Sequence, residues 1–183
     1  MEPISEQEPG TAIFAGGCFW CMEPVFDATP GVISVTPGYT GGSTRDPSYR
    51  EVSSGESGHV EAVRITFDPA RVTYRELLAI FWHNIDPTTR NRQFCDFGSQ
   101  YQSAIFYLDD QQKRAAEESR RELEESKPFE RPIATEIRPA SEFYPAEEYH
   151  QQYYKKEPLR YKMYHEGCGR KGRLRELWGS EGG

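Results

Sequence analysis

The chain has 183 residues, 13% of them aromatic, and a net charge of -7, which is enough for one domain with a real core, and no second regime of composition argues for two. The acidic balance argues against nucleic acid or an anionic membrane as the main partner, and no apolar run approaches the length that spans a bilayer. Four cysteines are too few for a disulfide scaffold and, in a reducing compartment, point to catalytic or metal-binding use.

The opening, Met1 to Gly10, is acidic and lacks the basic and apolar regions of a signal peptide. It reads as a flexible segment before a single domain over 11–183, and the expected compartment is the cytoplasm. Thr11-Ala12-Ile13-Phe14-Ala15 reads as a strand, and Met22 to Ala28 as a short helix closed by Pro30-Gly31. Pro24 places the helix start near Trp20, because proline is tolerated only in the first turn. Between strand and helix lies Gly16-Gly17-Cys18-Phe19-Trp20-Cys21. Cys18 therefore sits just before a helix N-terminus, whose dipole favours thiolate over thiol by about 0.3 to 1 kcal/mol, less than about one pKa unit. That makes it a better nucleophile without ionising it fully. Gly16 and Gly17 would let another molecule approach the backbone closely.

Val32 to Thr36 reads as a strand running into a long loop from Pro37 to Gly58, which a compact domain seldom keeps without a use for it. His59 to Phe67 alternates as a strand, with Glu61 on the apolar side beside Val63 and Ile65. A carboxylate there is desolvated, which raises its pKa. Thr73-Tyr74-Arg75-Glu76 is a capping box for a helix ending near Asp86-Pro87. A second long loop, Thr88 to Gln100, carries Cys95 and Asp96, and Tyr101 to Leu108 reads as a strand. Asp109-Asp110 opens a charged, solvated helix through Lys127, and Ala134 to Arg138 is the last expected strand. Pro145 should start a helix carrying Tyr149, His150, Tyr153 and Tyr154. An irregular tail from Lys162 holds Cys168 between Gly167 and Gly169, with a short helix at Leu174 to Trp178. The first six elements run β-α-β-β-α-β, so the expected fold is α+β: a split βαβ, ferredoxin-like two-layer sandwich with long loops.

Laid out this way, the chain resembles an A-type peptide methionine sulfoxide reductase. The matching stretches are Gly17-Cys18-Phe19-Trp20 with Glu23, Gly38-Tyr39-Thr40-Gly41-Gly42, Tyr49-Arg50-Glu51-Val52, Gly58-His59-Val60-Glu61-Ala62-Val63, Asp96-Phe97-Gly98-Ser99-Gln100-Tyr101 and Tyr149-His150-Gln151-Gln152-Tyr153. They occur in order over most of the chain. The resemblance implies that Cys18 attacks the sulfoxide sulfur of methionine-S-sulfoxide, free or in proteins, and is left as a sulfenic acid when methionine departs. Glu61 would hold the proton the oxygen needs, and Tyr49 and Tyr101 would donate hydroxyl hydrogen bonds to it. Phe19 and Trp20 would enclose the substrate methyl for about 1 kcal/mol, and Asp96 would orient water or donors near the site. None of the four histidines is given a catalytic role, and His59 is read as supporting the fold near Glu61.

A second thiol must resolve the sulfenic acid, and an external dithiol such as thioredoxin then reduces the disulfide. Cys168 on the tail ranks first, then Cys21, which stands where many relatives have glycine, then Cys95 beside Asp96. Relatives often carry the tail cysteine directly after a tyrosine, whereas Tyr161 is followed here by Lys162-Met163. The chain is expected to act as a monomer, without cofactor or metal. Two rival readings remain. One is a thioredoxin-like dithiol oxidoreductase built on Cys18-x-x-Cys21, needing neither Glu61 nor Tyr49. The other is a structural zinc module of Cys18, Cys21, Cys95 and Cys168, for which only one close cysteine pair is present.

Overall fold

In a computed structural model that describes residues 7–179, the chain forms a mixed α and β protein. Its elements in order are β1 (Gly10–Ala15), α1 (Phe19–Asp27), β2 (Val32–Thr40), α2 (Tyr49–Ser53), β3 (Val60–Phe67), α3 (Tyr74–His83), β4 (Arg92–Gln93), β5 (Asp96–Phe97), β6 (Ala104–Tyr107), α4 (Asp110–Ser126), β7 (Glu136–Pro139), β8 (Phe143–Pro145), α5 (Tyr153–Lys156), α6 (Pro158–Gly167) and α7 (Arg170–Trp178). The main sheet has the order β7-β6-β1-β3-β2-β8. β1 pairs antiparallel with β3 and β6, β2 antiparallel with β3 and β8, and β7 parallel with β6.

Strand alternation sets which side of the sheet each residue serves. Ala12 and Phe14 of β1 join Val63, Ile65 and Phe67 of β3 in the main core. That core is completed by Phe19, Met22 and Phe26 of α1, Leu77, Leu78 and Phe81 of α3, and Ala116 of α4. Ile13, Ala15, Val60 and Ala62 turn to the opposite face and form a smaller cluster with Ala104 and Phe106. Fully burying each of the large apolar side chains contributes about 1.5 to 3 kcal/mol, so the central strands are the most firmly held part of the chain. Glu61 projects from the second residue of β3, opposite Tyr39 of β2 and on the same side as Val63 and Ile65.

Several expectations are corrected. The opening segment is expected to stay flexible through Gly10, but Gly10 already pairs with Phe67; residues 1–6 lie outside the described residues. β2 continues through Pro37-Gly38 to Thr40. Gly38 permits this because a Cβ there would stand 2.5 Å from the Tyr144 carbonyl oxygen of β8. The first long loop contains α2, whose N-cap Ser48 and third residue Glu51 form a full capping box. Tyr101 ends a 3-10 turn, Ser99–Tyr101, rather than opening a strand. Pro145 closes β8 instead of starting a helix; an edge strand tolerates a residue without an N–H. Pro24 stands inside α1, at its sixth position, rather than in the first turn.

The tail is not irregular. α6 and α7 span most of it, and Leu174, Leu177 and Trp178 of α7 bury against Phe94. This contact also explains the backbone of Phe94, whose φ of 54° lies in the left-handed region. Such a conformation costs a bulky residue about 1–2 kcal/mol, which burial of the ring offsets. The consequence is positional: Phe94 anchored on α7 brings its neighbour Cys95 to Cys168.

Candidate active site

Cys18 is the N-cap of α1 and is only 6% exposed. Its place in the chain is as expected, but the two glycines before it serve packing rather than substrate approach. A Cβ on Gly16 would meet Met22 Cε at 2.5 Å, and one on Gly17, where φ is +84°, would meet Gln93 Cβ at 2.4 Å. The glycines let the turn that presents the thiol press against α1 and the loop after α3.

All seven residues expected around the substrate line one cavity of about 110 Å³: Cys18, Phe19, Trp20, Tyr49, Glu61, Asp96 and Tyr101, together with Tyr164. They arrive from six different elements, with Cys18 at the cap of the first. α1 supplies Phe19 and Trp20, α2 supplies Tyr49, β3 supplies Glu61, β5 supplies Asp96, the 3-10 turn supplies Tyr101 and α6 supplies Tyr164. The long loops thus fold over a strand and a helix start that carry Glu61 and Cys18.

Glu61 is 2% exposed, and its Oε1 accepts the Phe19 N–H at 3.2 Å. Burial pushes its carboxyl up to about 8, only partly opposed by that hydrogen bond, so at neutral pH it keeps its proton. Burial likewise raises the Tyr49 and Tyr101 hydroxyls, with the Glu61 charge adding to the effect. Both therefore remain neutral donors. Asp96 is raised by burial and steadied by a hydrogen bond from the Tyr164 hydroxyl.

The thiol itself departs from expectation. Burial, with the Cys21 hydrogen bond and the nearby Cys21, Glu61 and Asp96 charges, pushes Cys18 well above an ordinary cysteine. That outweighs the helix dipole, because a dipole effect of about 1 kcal/mol at most is small beside the desolvation of a buried anion. Cys21 is drawn the other way, down to about 7, by its hydrogen bond from Cys18, with Arg170 and Tyr161 also favouring its thiolate against the cost of burial. The two thiols share a hydrogen bond, and negative charge is preferred on the one near Arg170. Arg170 is 4% exposed and donates from Nη2 to the Gly16 carbonyl at 3.3 Å and to the Asn84 carbonyl at 2.8 Å.

Cys168 is not a free swinging thiol. It forms a disulfide with Cys95, Cα to Cα 5.0 Å, while Cys18 and Cys21 are free. This also removes the four-thiolate zinc arrangement. Among the described residues the one group of three candidate ligands within reach of each other is Cys95, Asp96 and Cys168, and two of its sulfurs are bonded together.

Sequence reasoning missed four supports. Glu147 accepts the Tyr39 hydroxyl at 2.9 Å and the Tyr49 N–H at 3.0 Å, tying β2 and α2 to the segment after β8. Burial would raise its carboxyl, but these hydrogen bonds hold it below the usual range. His150 Nδ1 accepts the Trp20 indole N–H at 3.0 Å, and burial lowers the imidazole to about 4, so it stays neutral. Tyr164 and Arg170 come from the tail. His59, read as a support, fills that place: it is buried, accepts the Gly42 N–H on Nδ1 at 3.1 Å and places Nε2 2.6 Å from the Thr44 carbonyl. Tyr153 stacks on Trp20 at 3.9 Å and holds that wall of the cavity.

A family model described as peptide methionine sulfoxide reductase matches residues 10–182. The Bacillus licheniformis protein named peptide methionine sulfoxide reductase MsrA is 55% identical over 168 residues, covering 92% of this chain and 93% of its own length. Methionine sulfoxide reductase A of Corynebacterium diphtheriae has a solved structure that matches with a TM-score of 0.74 at 36% identity, over 85% of this chain and 78% of that one. Mxr1 from Saccharomyces cerevisiae in reduced form matches with a TM-score of 0.77 at 31% identity, over 83% of this chain and 87% of that one. Mxr1 has also been solved in complex with Trx2, where the likeness is 0.56 at 24% identity, over 83% of this chain and 91% of that one. A buried cysteine and a protonated glutamate in one tyrosine-lined hollow accord with these matches, and the chain belongs to the peptide methionine sulfoxide reductase family.

Proposed function

We propose that this chain reduces methionine-S-sulfoxide, free or within proteins, with Cys18 as nucleophile and Glu61 as acid, and so repairs oxidised methionine. The observation that carries the reading is that Cys18 and Glu61 share one cavity with Tyr49 and Tyr101. A sulfoxide is polarised, sulfur positive and oxygen negative. With its sulfur at Cys18, its oxygen would face Glu61 and the two hydroxyls, and its methyl would lie against Phe19 and Trp20. As the Cys18 sulfur bonds to the substrate sulfur, the thiol gives up a proton and Glu61 supplies one to the oxygen. The protonated oxygen then passes from the substrate sulfur to Cys18, which becomes a sulfenic acid: the substrate S–O bond and the transient bond between the two sulfurs break, and a Cys18 Sγ–O bond forms. Methionine departs with its sulfur's electron pair restored, and the proton lost by the thiol balances the one gained by the oxygen.

Cys21, hydrogen-bonded to Cys18 and favoured as thiolate near Arg170, is the first resolving thiol in this reading. It displaces water from the sulfenic acid and forms a Cys18–Cys21 disulfide. Cys168, whose sulfur is paired with Cys95, acts in the second stage. Reduced Cys95 and Cys168 take over the oxidation by thiol–disulfide exchange, leaving Cys18 and Cys21 free. Thioredoxin then reduces the Cys95–Cys168 pair, by analogy with the yeast relative solved in complex with Trx2. The four-strand core β6-β1-β3-β2 with α1 and α3 is read as a ferredoxin-like split βαβ unit extended by β7 and β8. Residues 11–183 are read as one catalytic domain that works as a cytoplasmic monomer. No helix of the described residues is long and apolar enough to cross a membrane.

The test is a burst assay on fully reduced protein without added reductant, using dabsylated methionine sulfoxide with separated epimers. Wild type should release about two equivalents of methionine from the S epimer, because each dithiol pair carries one oxidation. Cys168→Ser should release about one and stop, and Cys18→Ser none. A Cys18→Ser protein that still releases methionine would sink the reading. Full thioredoxin turnover by Cys21→Ser would return the resolving role to Cys168.

A further inference from the structure

A second and larger cavity, about 440 Å³, lies against the disulfide rather than against Cys18. Cys168 forms part of its wall, with Arg92, Arg131, Arg173 and Asp86. Arg173 is spoken for: it pairs with Asp86 at 3.0 Å and with Glu176 at 3.0 Å. Among the described residues Arg92 and Arg131 face no carboxylate in an ion pair, and both side chains are exposed. Arg92 is held in place by donating from Nε to the Phe94 carbonyl at 2.9 Å, with its guanidinium 4.3 Å over the Phe97 ring. Two uncompensated guanidiniums beside a concave surface are unexpected on a chain of net charge -7.

We propose that this cavity binds a small thiol bearing carboxylates, which reduces the Cys95–Cys168 disulfide directly. Its size suits a small molecule rather than a convex protein surface, since ligand cavities run from about 300 to 1,000 Å³. The planar guanidiniums match carboxylates in a two-point geometry. Their positive field also favours the thiolate of a bound thiol, the form that attacks. The disulfide carried by the wall residue Cys168 defines the chemistry, because a disulfide sulfur is the group a thiolate exchanges with.

In the first step the bound thiolate attacks Cys168 Sγ, a mixed disulfide forms there, and the Cys95–Cys168 bond breaks. The electron pair leaves on Cys95, which is exposed to water and lies 3.8 Å from the Tyr164 hydroxyl oxygen. A second equivalent of the thiol attacks the mixed disulfide on the small molecule's sulfur and frees Cys168. In sum, two thiols are oxidised to their own disulfide, and the protein pair gains two electrons and two protons. This deepens the reading of the Cys95–Cys168 pair as the outlet for oxidation, and does not depend on Cys18 being the nucleophile.

The test uses the full chain with the Cys95–Cys168 disulfide formed and no sulfoxide present. Release of Cys95 is followed by alkylation and mass spectrometry, with mercaptosuccinate as a dicarboxylate thiol and 2-mercaptoethanol as a neutral one, rates being expressed per thiolate. Mercaptosuccinate should react at least about tenfold faster and saturate, the gain expected of a charge-lined cleft, although the overall negative charge would slow an anion elsewhere. Arg92→Ser with Arg131→Ser should bring the two thiols within about twofold and leave the 2-mercaptoethanol rate unchanged. Should that double variant fold poorly, Arg131→Glu alone decides, as its side chain is exposed. Equal rates for the two thiols, or a preference that survives Arg131→Glu, would overturn the proposal. The epimer burst assay judges the Cys18 site separately.

Discussion

Glu61→Gln keeps the shape of the side chain and an oxygen to accept the Phe19 N–H, but removes the titrating proton. Two effects of opposite sign follow. The folded-state carboxyl is raised from 4.5 to about 8, mainly by burial, so the folded protein holds a proton that the unfolded chain has lost. Its effect on stability is nil below about pH 4.5 and grows increasingly unfavourable as pH rises toward 8. At about 1.4 kcal/mol per pH unit, that interval sets an upper bound of about 5 kcal/mol. Glutamine has no such dependence, so Glu61→Gln should be close to wild type at pH 5 and the more stable protein at pH 8. Urea unfolding of both proteins between pH 5 and 8.5 gives the difference directly, since groups common to both cancel. Activity should move the other way. Loss of a positioned acid costs about 10²- to 10⁴-fold in rate, and the wild-type rate should fall above pH 8 while the residual rate of the variant does not. Matching stability curves for the two proteins, with activity within about threefold, would refute the picture of a buried, protonated acid.

Tyr164→Phe removes the hydroxyl that donates to Asp96. A hydrogen bond to a charged group is worth about 1.5 to 3 kcal/mol, so kcat should drop about tenfold or more with KM little changed, and steady-state kinetics unchanged in both would reduce Tyr164 to a wall. Glu147→Gln leaves one acceptor for two donors, Tyr39 Oη–H and Tyr49 N–H; the cost is about 1–3 kcal/mol at neutral pH. Because the Glu147 carboxyl is lowered in the folded state, that cost should fade as pH falls through its folded value, which urea midpoints at pH 7 and in acid will show. Gly17→Ala places a Cβ 2.4 Å from Gln93 at a φ of +84°, for a loss of about 2–5 kcal/mol. Thermal unfolding within a degree or so of wild type would show that the turn before Cys18 is not tightly packed.

Much of this was legible because it is local. The alternation in Val63-Arg64-Ile65-Thr66-Phe67 turned Glu61 inward, and Thr73 with Glu76 marked the start of α3, where both halves of the capping box are made. The same pattern in Ser48-Tyr49-Arg50-Glu51 is equally readable within the expected loop, so the start of α2 is a signal the sequence does carry. Pro145 misled because its preference for a first helical turn is one of two comfortable places for it, and pairing of β8 with β2 selected the other.

What the chain by itself determined was the order of the central strands and helices, the inward carboxylate and the set of side chains that gather about the thiol, since periodicity and motif act over a few residues. Tertiary structure alone decided the charge state of Cys18, the pairing of Cys95 with Cys168 across 73 residues, and the supporting parts played by Glu147, His150, Tyr164 and Arg170. Desolvation and long-range contact depend on what the rest of the molecule places around a group, and no short window of sequence carries that information.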